Sequence, residues 1–282
     1  MEAVIGKIIG TLKTFKEVEA IAFGGSYARG VQDERSDVDV YVFYRGKFTS
    51  EKTRRRLLPP LANFERTFII DTIDFFFYRG KIIHTWWVDM DKLKKDIRKD
   101  DVDSKVLVSD SKLLWDRNGK FARLRKSAKF PPRLAKEICV GGRTLSSVPI
   151  IFREIVEKSM HRNRIYFAES FIKTQTENII KAIYALNRRY YNNYPQYLEH
   201  EFGKFRYVPR NAFSNINKIG KYSLLENPLE KLTALYELYW GTVELIEKRW
   251  KFPHAELFPE YADKKWYRKR IREISEDILK RK

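Results

Sequence analysis

The chain has 282 residues, 43% hydrophobic and 33% charged, which allows one large domain or two ordinary ones with a real core and excludes a disordered chain. Its net charge of +19 is not confined to one tail, since residues 1–130 carry +8 and residues 131–282 carry +11. That balance suits a polyanionic partner (a triphosphate, RNA or DNA), and it equally suits a thermophile-style surface rich in Lys, Arg and Glu.

At the N-terminus, Val4, Ile8, Ile9, Leu12 and Phe15 recur at helical spacing. Acids and lysines are spread through the same stretch, unlike the order of a signal peptide, so a cytoplasmic protein is expected. No run of roughly 18 apolar residues appears anywhere, and no membrane span is expected. The apolar run Ala20 to Phe23 reads as a buried strand that ends in Gly24-Gly25-Ser26. Two glycines let the backbone turn sharply and approach a ligand closely. Ser26 then opens a helix, whose free N–H groups favour phosphate oxygens.

Asp37-Val38-Asp39-Val40 leads into the apolar, aromatic run ending at Tyr44, a strand by its period. Residues two apart share one strand face, so Asp37 and Asp39 stand side by side. Paired carboxylates repel unless a cation or proton intervenes, and hard oxygen ligands suit magnesium. Residues 50–60 read as a short basic helix stopped by Pro59 and Pro60, with Arg54-Arg55-Arg56 on a solvated face.

The runs 66–80 and 81–90 read as two β-rich segments joined by a hairpin at Arg79-Gly80. Asp74 stands inside the first of them among aromatic residues. A lone carboxylate is costly to bury, so a cation is expected beside it, and Asp74 becomes the third acid of a two-metal clamp. His84 reads as a satisfied core histidine, and Trp86 and Trp87 as one exposed and one buried ring. Asp89 and Asp91 look like helix caps. Residues 91–101 look helical, and residues 105–119 give one more strand or helix before a turn at Asn118-Gly119.

Pro131-Pro132 marks a junction, after which helical periodicity takes over. Long helices are expected over residues 169–191, over 228–250 behind Pro228, and over 264–282. Cys139 is the only cysteine, which excludes an internal disulfide and leaves a buried, inert thiol. The four histidines show no metal-ligand spacing, so zinc is not expected. Arg188-Arg189-Tyr190-Tyr191 and Lys204-Phe205-Arg206-Tyr207 interleave bases with aromatics, which fits a nucleic-acid surface or the end of a core helix equally well.

The strand, Gly25-Ser26, spacer and Asp37-Val38-Asp39 order resembles the nucleotidyltransferase superfamily that includes DNA polymerase beta. More closely, it is similar to kanamycin nucleotidyltransferase and to archaeal nucleotidyltransferase domain proteins. Arg29, three after the serine, fits that version of the motif, and Asp74 matches the third acid loosely. The resemblance implies an α/β (α+β) nucleotidyltransferase domain with a small mixed sheet over residues 1–125, followed by an α-helical bundle over 126–282. It implies two Mg2+ ions on Asp37, Asp39 and Asp74, and a nucleoside triphosphate, expected to be ATP, held by Gly24, Gly25, Ser26, Arg29 and Ser36.

The implied reaction moves a nucleoside monophosphate onto a hydroxyl of an unidentified acceptor (a small molecule, a protein or RNA) with release of pyrophosphate. The resemblance also suggests a glutamate base from the first helix of the helical domain, Glu157 or Glu154, against which stands ordinary ion pairing. Glu169 and Glu177 are weaker candidates. The alternative is a catalytically silent nucleic-acid-binding or antitoxin-like module of the same fold. Whether the chain forms a homodimer is open.

Overall fold

A computed structural model describes residues 2–46, 50–58, 64–70, 72–140, 157–162, 164–251 and 263–280. The chain divides into two compact units, Met1–Lys129 and Phe130–Lys282.

The first unit is built on one mixed sheet. Helix α1 (Glu2–Leu12) buries Val4, Ile5, Ile8 and Leu12 along one face. Strand β1 (Val18–Phe23) follows, and its near-continuous apolar run reflects a central position between β2 and β6. The short helix α2 (Gly25–Arg29) leads through a loop to β2 (Val38–Tyr44). Helix α3 (Glu51–Leu57) is capped by the Ser50 hydroxyl, which accepts from the Thr53 N–H. Then come β3 (Arg66–Ile70), β4 (Ile73–Tyr78) and β5 (Lys81–Asp89). Helices α4 (Met90–Arg98) and α5 (Val102–Asp110), strand β6 (Lys112–Asp116) and helix α6 (Lys120–Ser127) complete the unit.

The strand order is β3-β4-β5-β2-β1-β6. Only β2 and β5 run parallel, and every other neighbouring pair is antiparallel. Alternating side chains divide the sheet into two faces. One carries Val38, Val40, Val42, Tyr44, Ile83, Trp87 and Phe76 and packs against α1. The other carries Phe43, Ala20 and Ala22 and packs against Met90, Leu93 and Ile97 of α4, Val108 of α5, and Phe121 and Leu124 of α6.

The segment 66–78, expected as one strand, is two. Its aromatic run breaks after Ile70, and β3 folds back on β4 with Ile69 opposite Asp74. The β4–β5 hairpin turns at Arg79-Gly80 as expected, with both residues at positive φ (51° and 71°), the geometry of a tight two-residue turn. Asp89 caps α4 by accepting from the N–H groups of Asp91 and Lys92, as its position suggested.

The second unit is helical in its described residues. Helices α7 (Pro132–Cys139), α8 (Glu157–His161), α9 (Ile165–Leu186), α10 (Leu198–Lys204), α11 (Ala212–Lys221), α12 (Pro228–Trp250) and α13 (Lys264–Lys280) follow in order. Its core joins Ile179, Ile183 and Tyr184 of α9 with Leu232, Leu235 and Tyr239 of α12 and Ile271 and Ile274 of α13. A Cβ on Gly241 would lie 2.7 Å from the Pro209 side chain, so the chain passes α12 too closely for any larger residue. The interleaved aromatics turn inward. Tyr190 is buried against Phe130, and Phe205 meets Tyr184 edge-on at 5.0 Å. The cations there, Arg188, Arg189, Lys204 and Arg206, are exposed.

Candidate active site

β1 and β2 are adjacent and antiparallel, which brings the end of β1 beside the start of β2. There the N–H of Gly24 donates to the carbonyl of Asp39 at 2.9 Å. A Cβ on Gly24 would sit 2.4 Å from the Tyr41 ring. Gly25 has φ +53°, and a Cβ on it would sit 2.4 Å from Asp39 Oδ2. Gly24 is therefore favoured by space alone, and Gly25 by both space and backbone conformation. They let the chain turn directly over the carboxylate of Asp39 before α2 begins.

Asp39 lies in β2, and Asp37 stands just ahead of the strand's first residue. Asp37 is exposed, and among the described residues no hydrogen bond or ion pair engages its carboxylate. Asp39 is partly buried, and its Oδ1 is held from the next strand. His84 Nδ1 lies 3.1 Å away and Trp86 Nε1 donates at 3.2 Å. The parallel register sets Asp39 directly beside His84, which explains why both ring nitrogens reach the same oxygen. That leaves Oδ2 on the side of the glycine turn.

His84 itself is wedged between Asp39 and Phe75, meeting the Phe75 ring edge-on at 5.0 Å. It is thus not enclosed as a core histidine but a partly exposed partner of Asp39. Trp86 is the more exposed of the two tryptophans at 36%, against 4% for Trp87. The same sheet face continues outward through Phe75 to Phe68 and Ile70, which are 47% and 57% exposed.

Asp74 is not part of this cluster. It pairs across β5 with Thr85, one residue beyond His84, so its side chain points to the opposite sheet face. It is fully buried in an ion pair with Arg54, and Oδ2 also accepts from Thr85 Oγ1 at 2.8 Å and Trp87 Nε1 at 2.7 Å. Burial raises its carboxyl above the usual carboxylate value, against the opposing pull of the Trp87 N–H, the Arg54 guanidinium and the Thr85 hydroxyl. The cation that a buried acid demands is present, but it is Arg54 and not a metal ion. Arg54 is correspondingly 0% exposed, not on a solvated face, and its guanidinium lies 5.4 Å from the centre of the Trp87 ring.

Two of the expected nucleotide contacts are spent elsewhere. Arg29 donates to the Gly25 carbonyl at 3.1 Å and to Asp110 at 2.7 Å, so it ties α2 to the end of α5. Ser36 closes a turn in the α2–β2 loop, accepting from the Asp33 N–H and donating to the Asp33 carboxylate at 2.8 Å. Those bonds, the Ser36 hydroxyl first, hold the Asp33 carboxyl below the usual carboxylate value. Ser26 lies at the start of α2 and its carbonyl accepts from the N–H groups of Gly30 and Val31.

The side chain of Glu157 lies outside the described residues, as do Asp71 and Glu154. Glu169 is structural, accepting from the Leu224 N–H and pairing with Lys231 at 2.7 Å. Among the described residues, no three His, Cys, Asp or Glu side chains gather as a set that could hold a metal ion. The group that forms is Asp39 with His84 and Trp86 on its Oδ1, and Asp37 stands two residues ahead of it in the chain. Sequence spacing found the acids. It could not find His84 and Trp86, because their approach depends on the β2–β5 register, which no local pattern encodes.

Residues 5–108 match the family model described as "Nucleotidyltransferase domain". That match falls within the first unit, which is thus similar to nucleotidyltransferase domains. No curated protein matches the chain. Among solved structures, it is similar to a nucleotidyltransferase-like protein from Exiguobacterium sibiricum 255-15 at 12% identity, covering 92% of this chain and 78% of that one with a TM-score of 0.39. It is also similar to an aminoglycoside 6-adenyltransferase from Bacillus subtilis at 12% identity, covering 99% and 97% with a TM-score of 0.38. Likenesses at that score say nothing of this chain's substrate.

Proposed function

We propose that the chain transfers a nucleoside monophosphate from a magnesium-bound nucleoside triphosphate, with ATP the first candidate, to a hydroxyl of its acceptor. The observation that carries this reading is the Asp39 carboxylate, with its Oδ2 against the Gly25 turn and its Oδ1 held by His84 and Trp86, two residues after Asp37 in the chain.

The donor set fits a hard divalent cation. It offers two carboxylates, one with no protein partner among the described residues and one with an oxygen left free of the His84 and Trp86 bonds. Magnesium takes few protein ligands and completes its shell with phosphates and water. When bound, it would neutralise the triphosphate and the charge that builds on the departing pyrophosphate. Asp37 and Asp39 are the residues that would hold it, by one ion or two. Asp74 is not among them.

The chain's own side chains divide the remaining work. His84 and Trp86 fix the rotamer of Asp39, the supporting-shell role that typically tunes a metal ligand. Gly24 and Gly25 keep the space above that carboxylate clear. Ser26 offers its hydroxyl to phosphate oxygens at the start of α2. Arg29 acts at one remove by anchoring α2 through Asp110.

In the transfer, the acceptor oxygen bonds to the α-phosphorus as the bond to the α–β bridging oxygen breaks. Pyrophosphate leaves, and the hydroxyl proton passes to a base or to water. Glu157 remains the proposed base, and Glu157→Gln should lower kcat by about 10²–10⁴-fold.

The test incubates the protein and magnesium with triphosphates labelled in the α-phosphate against metabolites, proteins and total RNA. Label transferred to an acceptor with stoichiometric pyrophosphate, both abolished in Asp37→Asn/Asp39→Asn, supports the reading. RNA binding that survives that double substitution, with no transfer to any acceptor, would point to the silent nucleic-acid-binding module.

A further inference from the structure

The first unit contains a polar cavity that reaches Arg45, at the opposite end of β2 from Asp37. It has a volume of about 570 Å³ and is lined by residues that include Arg45, Lys94, Arg98, Lys120 and Arg123. Arg45 follows the last residue of β2, whereas Asp37 precedes its first. Eight residues of extended chain separate the two, about 26 Å. The strand directions agree with this placement. β2 and β5 are parallel, and β6 runs the same way because both it and β2 are antiparallel to β1. The cavity thus opens by the carboxyl end of β2 and runs along α4 and α6, from Met90 to Arg98 and from Lys120 to Ser127.

Its chemistry is two-sided. Met90, Ile97 and Leu124 give it an apolar floor, and all three are under 9% exposed. The rim bears five cations and one acid, Asp91. Arg45 is paired with Asp91 at 3.1 Å and Lys120 with Glu19 at 2.6 Å. Lys94, Arg98 and Arg123 form no ion pair among the described residues, and all three are exposed. Three unneutralised cations converging over buried apolar carbon are not what a solvated basic helix face looks like, since such a face has no concavity and no floor. The volume is that of a small-molecule site.

We infer that this cavity binds a small organic phosphate with at least two phosphoryl groups on an apolar or ring-shaped body. The phosphates would meet Lys94, Arg98 and Arg123, and the body would cover Met90, Ile97 and Leu124. The site needs no metal ion, because the protein supplies the positive charge, and it is independent of Asp37 and Asp39.

That independence makes it testable. Calorimetric titration of the full chain with ADP in excess EDTA should show saturable binding. Arg98→Glu/Arg123→Glu should weaken it at least tenfold. The control Lys7→Glu/Lys52→Glu makes the same charge change on exposed residues elsewhere and should leave it within twofold. Asp37→Asn/Asp39→Asn should also leave it unchanged. Inorganic tripolyphosphate should compete, but more weakly than ADP because it leaves the floor uncovered. The inference is overturned if metal-free ADP does not bind, if both charge-reversal variants weaken it equally, if it is lost with the Asp37/Asp39 pair, or if tripolyphosphate binds as tightly as ADP.

Discussion

Asp39 is held by three constraints that come from three different parts of the chain. Its strand sets the face, Gly25 leaves room for Oδ2, and His84 and Trp86 hold Oδ1. Each can be removed singly. His84→Ala frees the carboxylate without touching it, and should cost about 10–100-fold in activity or metal affinity while the fold is kept. Steady-state kinetics at varied magnesium, with circular dichroism as the folding control, reads that result. Gly25→Ala forces a Cβ both into a left-handed conformation and onto Oδ2, so it should lose activity and about 1–3 kcal/mol of stability together.

Asp33 belongs to the same scale. Its carboxyl is depressed in the folded chain, so the Asp33–Ser36 turn stabilises the loop above the usual carboxylate value. That stabilisation is lost as pH falls through the depressed one. Ser36→Ala should move the Asp33 titration back up, which NMR of the side-chain carboxyl would show.

Pairs of elements decide what single residues cannot, and the Arg54–Asp74 pair shows it. α3 supplies the arginine, β4 the aspartate, and β5 the Thr85 and Trp87 bonds. Asp74→Ala leaves a buried guanidinium without its main partner, which should cost about 3–5 kcal/mol. The double change Arg54→Met/Asp74→Leu removes both charges and should recover most of that stability, as denaturant melts would record. The doubly substituted protein should stay active, whereas a catalytic Asp74 requires it to be dead.

The same elements show what was legible beforehand. The demand for a cation beside Asp74 followed correctly from its apolar neighbours, but the identity of that cation did not. Arg54 sits 20 residues away, in a run of three arginines that reads as surface. The face of Asp74 was equally hidden, because it turns on a one-residue difference in β4–β5 register: Asp74 meets Thr85, and Phe75 meets His84. The motif from Gly24 to Asp39 was legible because a strand, a turn and a strand encode it locally. In the helical unit, Cys139 followed the simple expectation. Burial lifts its thiol to about 12, so a thiolate-selective reagent at pH 8 should label it only after unfolding.

At the scale of the whole molecule, each unit has its own core, two clusters on the faces of the sheet in one and a helical cluster in the other. A fragment of residues 1–129 should therefore fold cooperatively by itself, with a sigmoidal melt and a dispersed NMR spectrum. The net charge of +19 was plain from composition, but its use was not. In the first unit, three exposed cations with no ion pair among the described residues, Lys94, Arg98 and Arg123, line one cavity along α4 and α6.

Magnesium-dependent binding of a non-hydrolysable ATP analogue, compared across three proteins, tests the central claim most directly. The unaltered chain and Arg54→Met/Asp74→Leu should bind it with similar affinity, and adding magnesium should tighten both. Asp37→Asn/Asp39→Asn should lose the magnesium-dependent increment entirely. If that increment survives in Asp37→Asn/Asp39→Asn, or disappears in Arg54→Met/Asp74→Leu, the metal-bound nucleotide does not sit on the Asp37–Asp39 face.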